Sequence, residues 1–427
     1  MRTYPYRFHV ALDGNGLNGL EGRAGVCQFL FDPDDNAHAW KVSYFEGIAG
    51  GHAVSVNPGG TIGFLGNTGQ HILLYDGVDS RELARQSTLY FETNDTSLRG
   101  STHAVWLSEH EFIVAIGDFL YRFDARRLEA GERIGAHGVN LPHAMKLTAS
   151  GRYLLYGSMD HPRGGESREV GIFDLQSGTA RRIELPATCW HVAADDSRDI
   201  FYALSFRVHP QGGVDYHEWA MSYLKEYAFE IDTVSGRVLR HWAASRDLPV
   251  HINSDITLSE GELIFCNGAS QTIVFIDRTS FARWRLIDER PGLDALAENR
   301  RAVAKQLADA LSRGNLVPEA RHFLSALRIS RFAVLDSVYA CQLSADQSLL
   351  FTANRGLNHI TVYDYPSNAL RLRVKMPPLH QFVPLSPRDD PRLGFHHGWL
   401  CSPGSRRSSD SRNRLLAAAS VARDGTA

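Results

Sequence analysis

Cysteine is scarce: five residues, at 27, 189, 266, 341 and 401, odd in number and far apart. That spacing supplies no disulfide framework, and no pair has the C-x-x-C separation of a thiolate zinc site, so the expected setting is a reducing compartment. Charge of one sign is lacking too. Lys and Arg total 45 against 48 Asp and Glu, a net charge of −3, which gives no electrostatic argument for nucleic acid or an anionic membrane. No apolar run approaches membrane-spanning length, and the opening MRTYPYRFHVAL has no signal-peptide core. The expectation is a cytoplasmic protein with no nucleic-acid or membrane partner. GxSxG, Walker A and HExxH are missing as well, so no familiar hydrolase or nucleotide motif is present.

What the chain does have is a repeat. Gly51 to Asp76, GHAVSVNPGGTIGFLGNTGQHILLYD, holds three short apolar runs broken by turn residues and ends in aromatic-Asp. That is the grammar of an antiparallel meander. It restarts near positions 103, 143, 191, 254 and 339, and a partial copy begins at PRLGFHHGWLCSPG. Strand-like runs at Tyr6 to Leu12, Val26 to Phe31 and Ala39 to Phe45 precede the first full copy. Pairing the C-terminal strand with these N-terminal ones makes one blade from both chain ends. The fold class is all-β: a seven-bladed β-propeller over residues 1–402, with residues 403–427 as a polar tail. Within that tail, LLAAAS at 415–420 is a candidate second strand of the closing blade. The aromatic-Asp endings read as turn chemistry.

Three interruptions break the period. Two are GSMDHPRGGESR (157–168) and FRVHPQGGVDYHEWAMSYLK (206–225), each between the second and third strands of its blade; the third separates two blades at 288–331. In the third, Leu293, Leu296, Val303, Leu307 and Leu311 have helical spacing, so a helical insertion is expected at about 289–331. In a four-stranded meander all three insertions emerge on the face where each innermost strand begins. One face is therefore elaborated, as expected for functional loops on a rigid scaffold.

Aligning the copies on the polar residue that ends the first strand (Asn57, Ser108, Thr148, Asp196, Ser259, Ser344, Ser402) brings out a second pattern. Five residues earlier stand His52, His103, His143, His191, Ser254, Tyr339 and His397. Five of seven blades thus place an imidazole at the start of the innermost strand, nearest the axis. His251 stands close to the Ser254 slot, and His396 is beside His397. A ring of imidazoles on a metal in the central channel is one reading, with Fe, Cu, Zn or Mn as the transition ion. The other is a repeat habit in which each ring bonds the neighbouring blade's backbone.

The segment LSADQSLLFTANRGLNHITVYD (Leu343 to Asp364) resembles the repeat of the YVTN and lactonase-like seven-bladed propellers. Residues 51–402 are similar to that superfamily in period and layout. The resemblance implies a fold and leaves function open, since such propellers host lactonases, dehydrogenase subunits and non-catalytic scaffolds.

The candidate metal ligands are therefore His52, His103, His143, His191 and His397, with His251 in reserve. Tyr339 is a candidate proton donor. His251, and His161 and His217 in the two long loops, are candidate catalytic acid–base groups, and Asn253 and Asp255 flank the Ser254 slot, where a carboxylate would orient a ligating imidazole. The expected activity is that of a metal-dependent enzyme, an oxidoreductase or lyase acting on a small organic substrate. The alternatives are a non-catalytic propeller that binds a protein partner and a metal-free lactonase-like hydrolase.

Overall fold

The computed structural model describes residues 2–13, 23–94, 99–159, 167–195, 197–207, 227–243, 253–267, 272–289, 337–355, 358–388 and 394–405. They form seven four-stranded antiparallel sheets, the blades of a propeller. Six are simple meanders whose innermost strands are Gly51–Val56, Ala104–Trp106, Pro142–Leu147, Thr188–Ala194, Asn253–Leu258 and Ser337–Leu343. These are blades 1 to 6 in chain order. Blade 7 takes its innermost strand, Phe395–Cys401, from the C-terminal region and its other three, Tyr6–Leu12, Arg23–Asp32 and Ala37–Glu46, from the N-terminal region. The expected closure by both chain ends is the one observed. The second strand of blade 7 is Tyr6–Leu12, not LLAAAS, which lies outside the described residues.

Each blade is buried on both faces, so its middle strands read as unbroken apolar runs rather than alternating ones. The period of two still sorts the side chains. In blade 1, Phe64 packs toward blade 2 and Leu65 toward blade 7; in blade 6, Leu350 faces blade 5 and Phe351 faces blade 7. Seven apolar clusters result, one at each blade-to-blade junction, closing a ring. Radial closure of this kind leaves only short outer edges.

Turn chemistry accounts for the polar punctuation. Asp76, Asp124, Asp174, Asp232 and Asp277 each accept backbone N–H bonds two or three residues on, as with Asp174 Oδ1 and the Gln176 amide at 2.9 Å. Asn57, Thr148 and Ser344 close the first turn by accepting amides four or five residues ahead. In blade 4 this role falls to Asp195, whose N–H donates to Ile200 O as Asn57 N–H does to Ile62 O. The register anchor is thus one residue before Asp196, which is outside the described residues.

All five cysteines are free, four of them buried, as their spacing implies. Among the described residues, no helix is long and apolar enough to cross a membrane. The expected helical insertion at about 289–331 lies, from residue 290 on, outside the described residues.

Candidate metal centre

The innermost strands do not run straight where their histidines stand. In blades 1, 3, 4, 5, 6 and 7 the pairing register shifts at or beside the aligned slot: His52 and Ala53 face the single residue Gly66, and Ala144 and Met145 face Tyr156. Such bulges re-aim a side chain relative to strict alternation. In blade 3 the backbone change is visible at Ala144, which has φ 49°. In blade 2, His103 directly precedes the strand.

The outcome is convergence. Donor nitrogens of His52, His103, His143 and His397, from four blades, all lie within 4.8 Å of one another. The His52 and His143 Nε2 atoms are 2.6 Å apart, and the His103 ring centroid is 4.3 Å from that of His143. His191 stands 5.0 Å from His143 and 4.9 Å from His397, ring to ring. It groups with Asp255 and His397, again with donors within 4.8 Å.

Three residues that the repeat count passed over, or gave another role, belong to the site. His396 packs its ring 4.1 Å from that of His52 and 4.6 Å from that of Tyr339. Asp255 offers its carboxylate directly as a donor rather than orienting an imidazole from behind. Its Oδ2 accepts the Cys341 amide at 3.0 Å and the Gln342 side chain at 3.2 Å, while Oδ1 accepts the Ile256 amide at 2.9 Å. Its sequence signal is the residue after the slot: Ala53, Ala104, Ala144, Val192, Ala340 and Gly398 are small or apolar, and only blade 5 has an acid there. The third is Arg355, at the end of the second strand of blade 6. It lies 5.1 Å from the Tyr339 ring centre and is ion-paired through Nη2 with Asp13 of blade 7.

Electrostatics set the protonation states. Burial pushes the pKa values of His52, His103, His191, His396 and His397 well below that of free imidazole, and the positive fields of Arg355 and Lys146 act on several of them in the same direction. For His143 burial lowers the value to about 4. These are neutral rings with lone pairs, the ligating state. His143 Nδ1–H donates to Trp190 O at 3.0 Å, which leaves Nε2 as the electron-pair donor into the cluster. His103 is tied through Nδ1 to Thr102 Oγ1 at 3.1 Å.

Gly157 and Gly66 make these ties possible. A Cβ on Gly157 would overlap the Trp190 carbonyl and one on Gly66 the Thr102 carbonyl.

Some polar atoms have no partner. Nε2 of His191 and of His397, Nδ1 of His396, and Nε and Nη1 of Arg355 are buried without a hydrogen bond. Each such atom costs about 1–3 kcal/mol if nothing meets it; the imidazole nitrogens are lone-pair donors that fit a bound cation, whereas the Arg355 N–H groups call for an acceptor oxygen. A cavity of about 30 Å3 runs on along the axis, lined by His103, Lys146, His191, Asp255, His397 and Trp399, among others.

Asn253 serves the strand rather than the centre, donating to Ser205 O at 3.0 Å. Tyr339 is buried against His396 and His397, and burial pushes its phenol pKa up. His161, His217 and His251 lie outside the described residues.

No family model matches the sequence, and no curated protein matches it. Solved structures match the fold. One is a dihydro-heme d1 dehydrogenase, NirN, in complex with DHE: 12% identity and a TM-score of 0.52, over 95% of this chain and 77% of that one. Another is the hydrazine synthase of Kuenenia stuttgartiensis: 11% identity and a TM-score of 0.52, over 77% of this chain and 87% of its own. At these identities the likeness is one of fold.

Proposed function

We propose that the chain is a metal-dependent enzyme that carries out oxidative or eliminative chemistry on a small organic molecule at the axial mouth of the propeller. The observation that carries this reading is the meeting of four neutral imidazole donors from four blades within 4.8 Å, His143 and His397 among them buried. A repeat habit would let each ring bond its neighbour's backbone. His143 does so through Nδ1, yet its Nε2 still faces the cluster, and Nε2 of His397 bonds nothing. The dihydro-heme d1 dehydrogenase and the hydrazine synthase bear the names of enzymes, which agrees with a catalytic use of the fold. Within that architecture the repeat at Leu343–Asp364 supports a place in the YVTN and lactonase-like group.

His52, His103, His143 and His397 would hold the ion, and Fe, Cu, Zn and Mn all accept imidazole. When bound, it would supply Lewis acidity or redox chemistry. The chain's own groups do the rest. Arg355 has two N–H donors free to orient a carbonyl or carboxylate oxygen of the substrate. Tyr339, held protonated by burial and beside Arg355, would offer its O–H at the same point.

Elemental analysis of the purified chain tests the reading. Stoichiometric transition metal is expected, sharply reduced by His143→Gln in a variant that still melts cooperatively. No metal, or metal indifferent to His143→Gln, removes it. Asp255 beside His191 is the one feature that favours a metal-free hydrolase with a carboxylate–imidazole base. A metal-free protein that hydrolyses lactones would establish that second reading.

A further inference from the structure

We propose that the centre holds two cations, the second at a position formed by His191, Asp255 and His397 beside the four-histidine position. The inference rests on the metal-centre reading above and adds a second ion. The three groups come from blades 4, 5 and 7, all are buried, and their donor atoms lie within 4.8 Å of one another. His397 belongs to both groups, so the two positions are adjacent; its neutral ring has one lone pair, so with both ions bound His397 completes the second position and His52, His103 and His143 hold the first.

Two imidazoles and one carboxylate form a set that suits divalent first-row ions such as Mn, Fe, Co or Zn and leaves coordination positions open. The all-nitrogen group offers no oxygen, so the two positions differ in ligand chemistry. Nε2 of His191 has no hydrogen-bond partner although the residue is 1% exposed. That orphan belongs to this group alone, since the four-histidine group does not include His191. Asp255 is oriented beforehand: the Cys341 amide and the Gln342 side chain fix its Oδ2, and the Ile256 amide fixes its Oδ1. Hydrogen-bonded support of this kind is what ligating carboxylates receive. His191, Asp255 and His397 also border the 30 Å3 cavity, which has room for an ion or a water between them.

Lys146 is the competing counter-charge. It borders the same cavity and acts on Asp255 through its charge, with its Nζ 5.7 Å from the centre of the Trp399 ring. A lysine that merely neutralises Asp255 leaves the His191 Nε2 orphan unexplained; a cation accounts for both.

The test is metal stoichiometry on the full chain, stripped with chelator and titrated with Co2+, read by elemental analysis and by visible absorption. Wild type is expected to bind about two ions per chain, and Asp255→Asn and His191→Gln about one each, with the retained ion showing a nitrogen-rich Co2+ spectrum. Mn2+-loaded wild type should show an exchange-coupled paramagnetic signal that both variants lose. Melting curves confirm that the variants fold, and should Asp255→Asn fail to fold, His191→Gln carries the same expectation. One ion in wild type, unchanged by either substitution, overturns the second position and leaves the four-histidine centre standing. A single ion lost in Asp255→Asn also overturns it, because one ion then uses both groups. No bound ion overturns both readings.

Discussion

Replacing Gly157 with alanine should weaken the metal centre without altering a single ligand. Gly157 pairs with His143 in blade 3, under the inner strand of blade 4. A Cβ there would stand 2.6 Å from the Cys189 carbonyl oxygen and closer still to that of Trp190. Comfortable heavy-atom contact begins at about 3.5 Å, and both obstacles are backbone, so the blade 4 strand must shift by roughly 1 Å. Trp190 O is the acceptor that holds His143 Nδ1–H at 3.0 Å. Overpacking of this kind costs about 1–3 kcal/mol, and loss of the hydrogen bond adds about 1 kcal/mol. Freeing a ligating imidazole from its orienting carbonyl lowers metal affinity by about 10–100-fold, or about 1.4–2.8 kcal/mol at 1.4 kcal/mol per decade. Thermal melts and zinc titration against a chromophoric chelator measure the two effects separately. Gly261→Ala is the control, because a Cβ at that exposed turn meets nothing within 4 Å. A Gly157→Ala protein that melts and binds zinc like wild type would refute the reasoning, since the Trp190 carbonyl would not be what positions His143.

Acid should destabilise the propeller through histidines that are buried uncharged. His9, lowered to about 3 by burial and bonded through Nδ1 to Tyr75 OH at 3.1 Å, is outside the metal centre and isolates the effect. Its folded pKa lies below the unfolded value of about 6.5, so the unfolded chain binds the proton more readily. Stability from this group is complete above about 6.5 and falls by about 1.4 kcal/mol per pH unit as pH drops toward 3. Urea melts at several pH values between about 6 and 4 should show that His9→Gln reduces the slope by one proton; an unchanged slope would contradict the assignment. Removing residues 394–427 deletes the innermost strand of blade 7 together with His396 and His397, and cooperative melting should be lost. Removing 406–427 takes no described strand and should leave the melting temperature unchanged, and a melt unaffected by the longer truncation would rule out closure by both chain ends.

The architecture was legible because blade formation depends on local pattern. Runs such as FLYRFD and TIVFID, their terminal Asp turns and the regular restarts at His or its equivalent repeat the same solution to burying a sheet on both faces. The closure of blade 7 followed from counting unpaired strands at the two ends. The site was legible only in part, because convergence depends on the bulges, and HAV, HAM and HVA carry no mark of a bulge. Blade 4 shows the difficulty. Counting five residues back from its true anchor, Asp195, gives Trp190, yet the bulged residue there is Trp190 itself and His191 is delivered to the centre. One position decides whether indole or imidazole reaches the axis, and a shift of one residue reverses every side chain in a strand. Asp255 and Arg355 were harder still. Each occurs once, with no copies in other blades to align, and its role comes from the chain end or neighbouring blade it meets, Cys341 and Gln342 for one and Asp13 for the other. Repetition reveals the scaffold and the ring of histidines, while the residues that break the ring's symmetry are those that repetition cannot reveal.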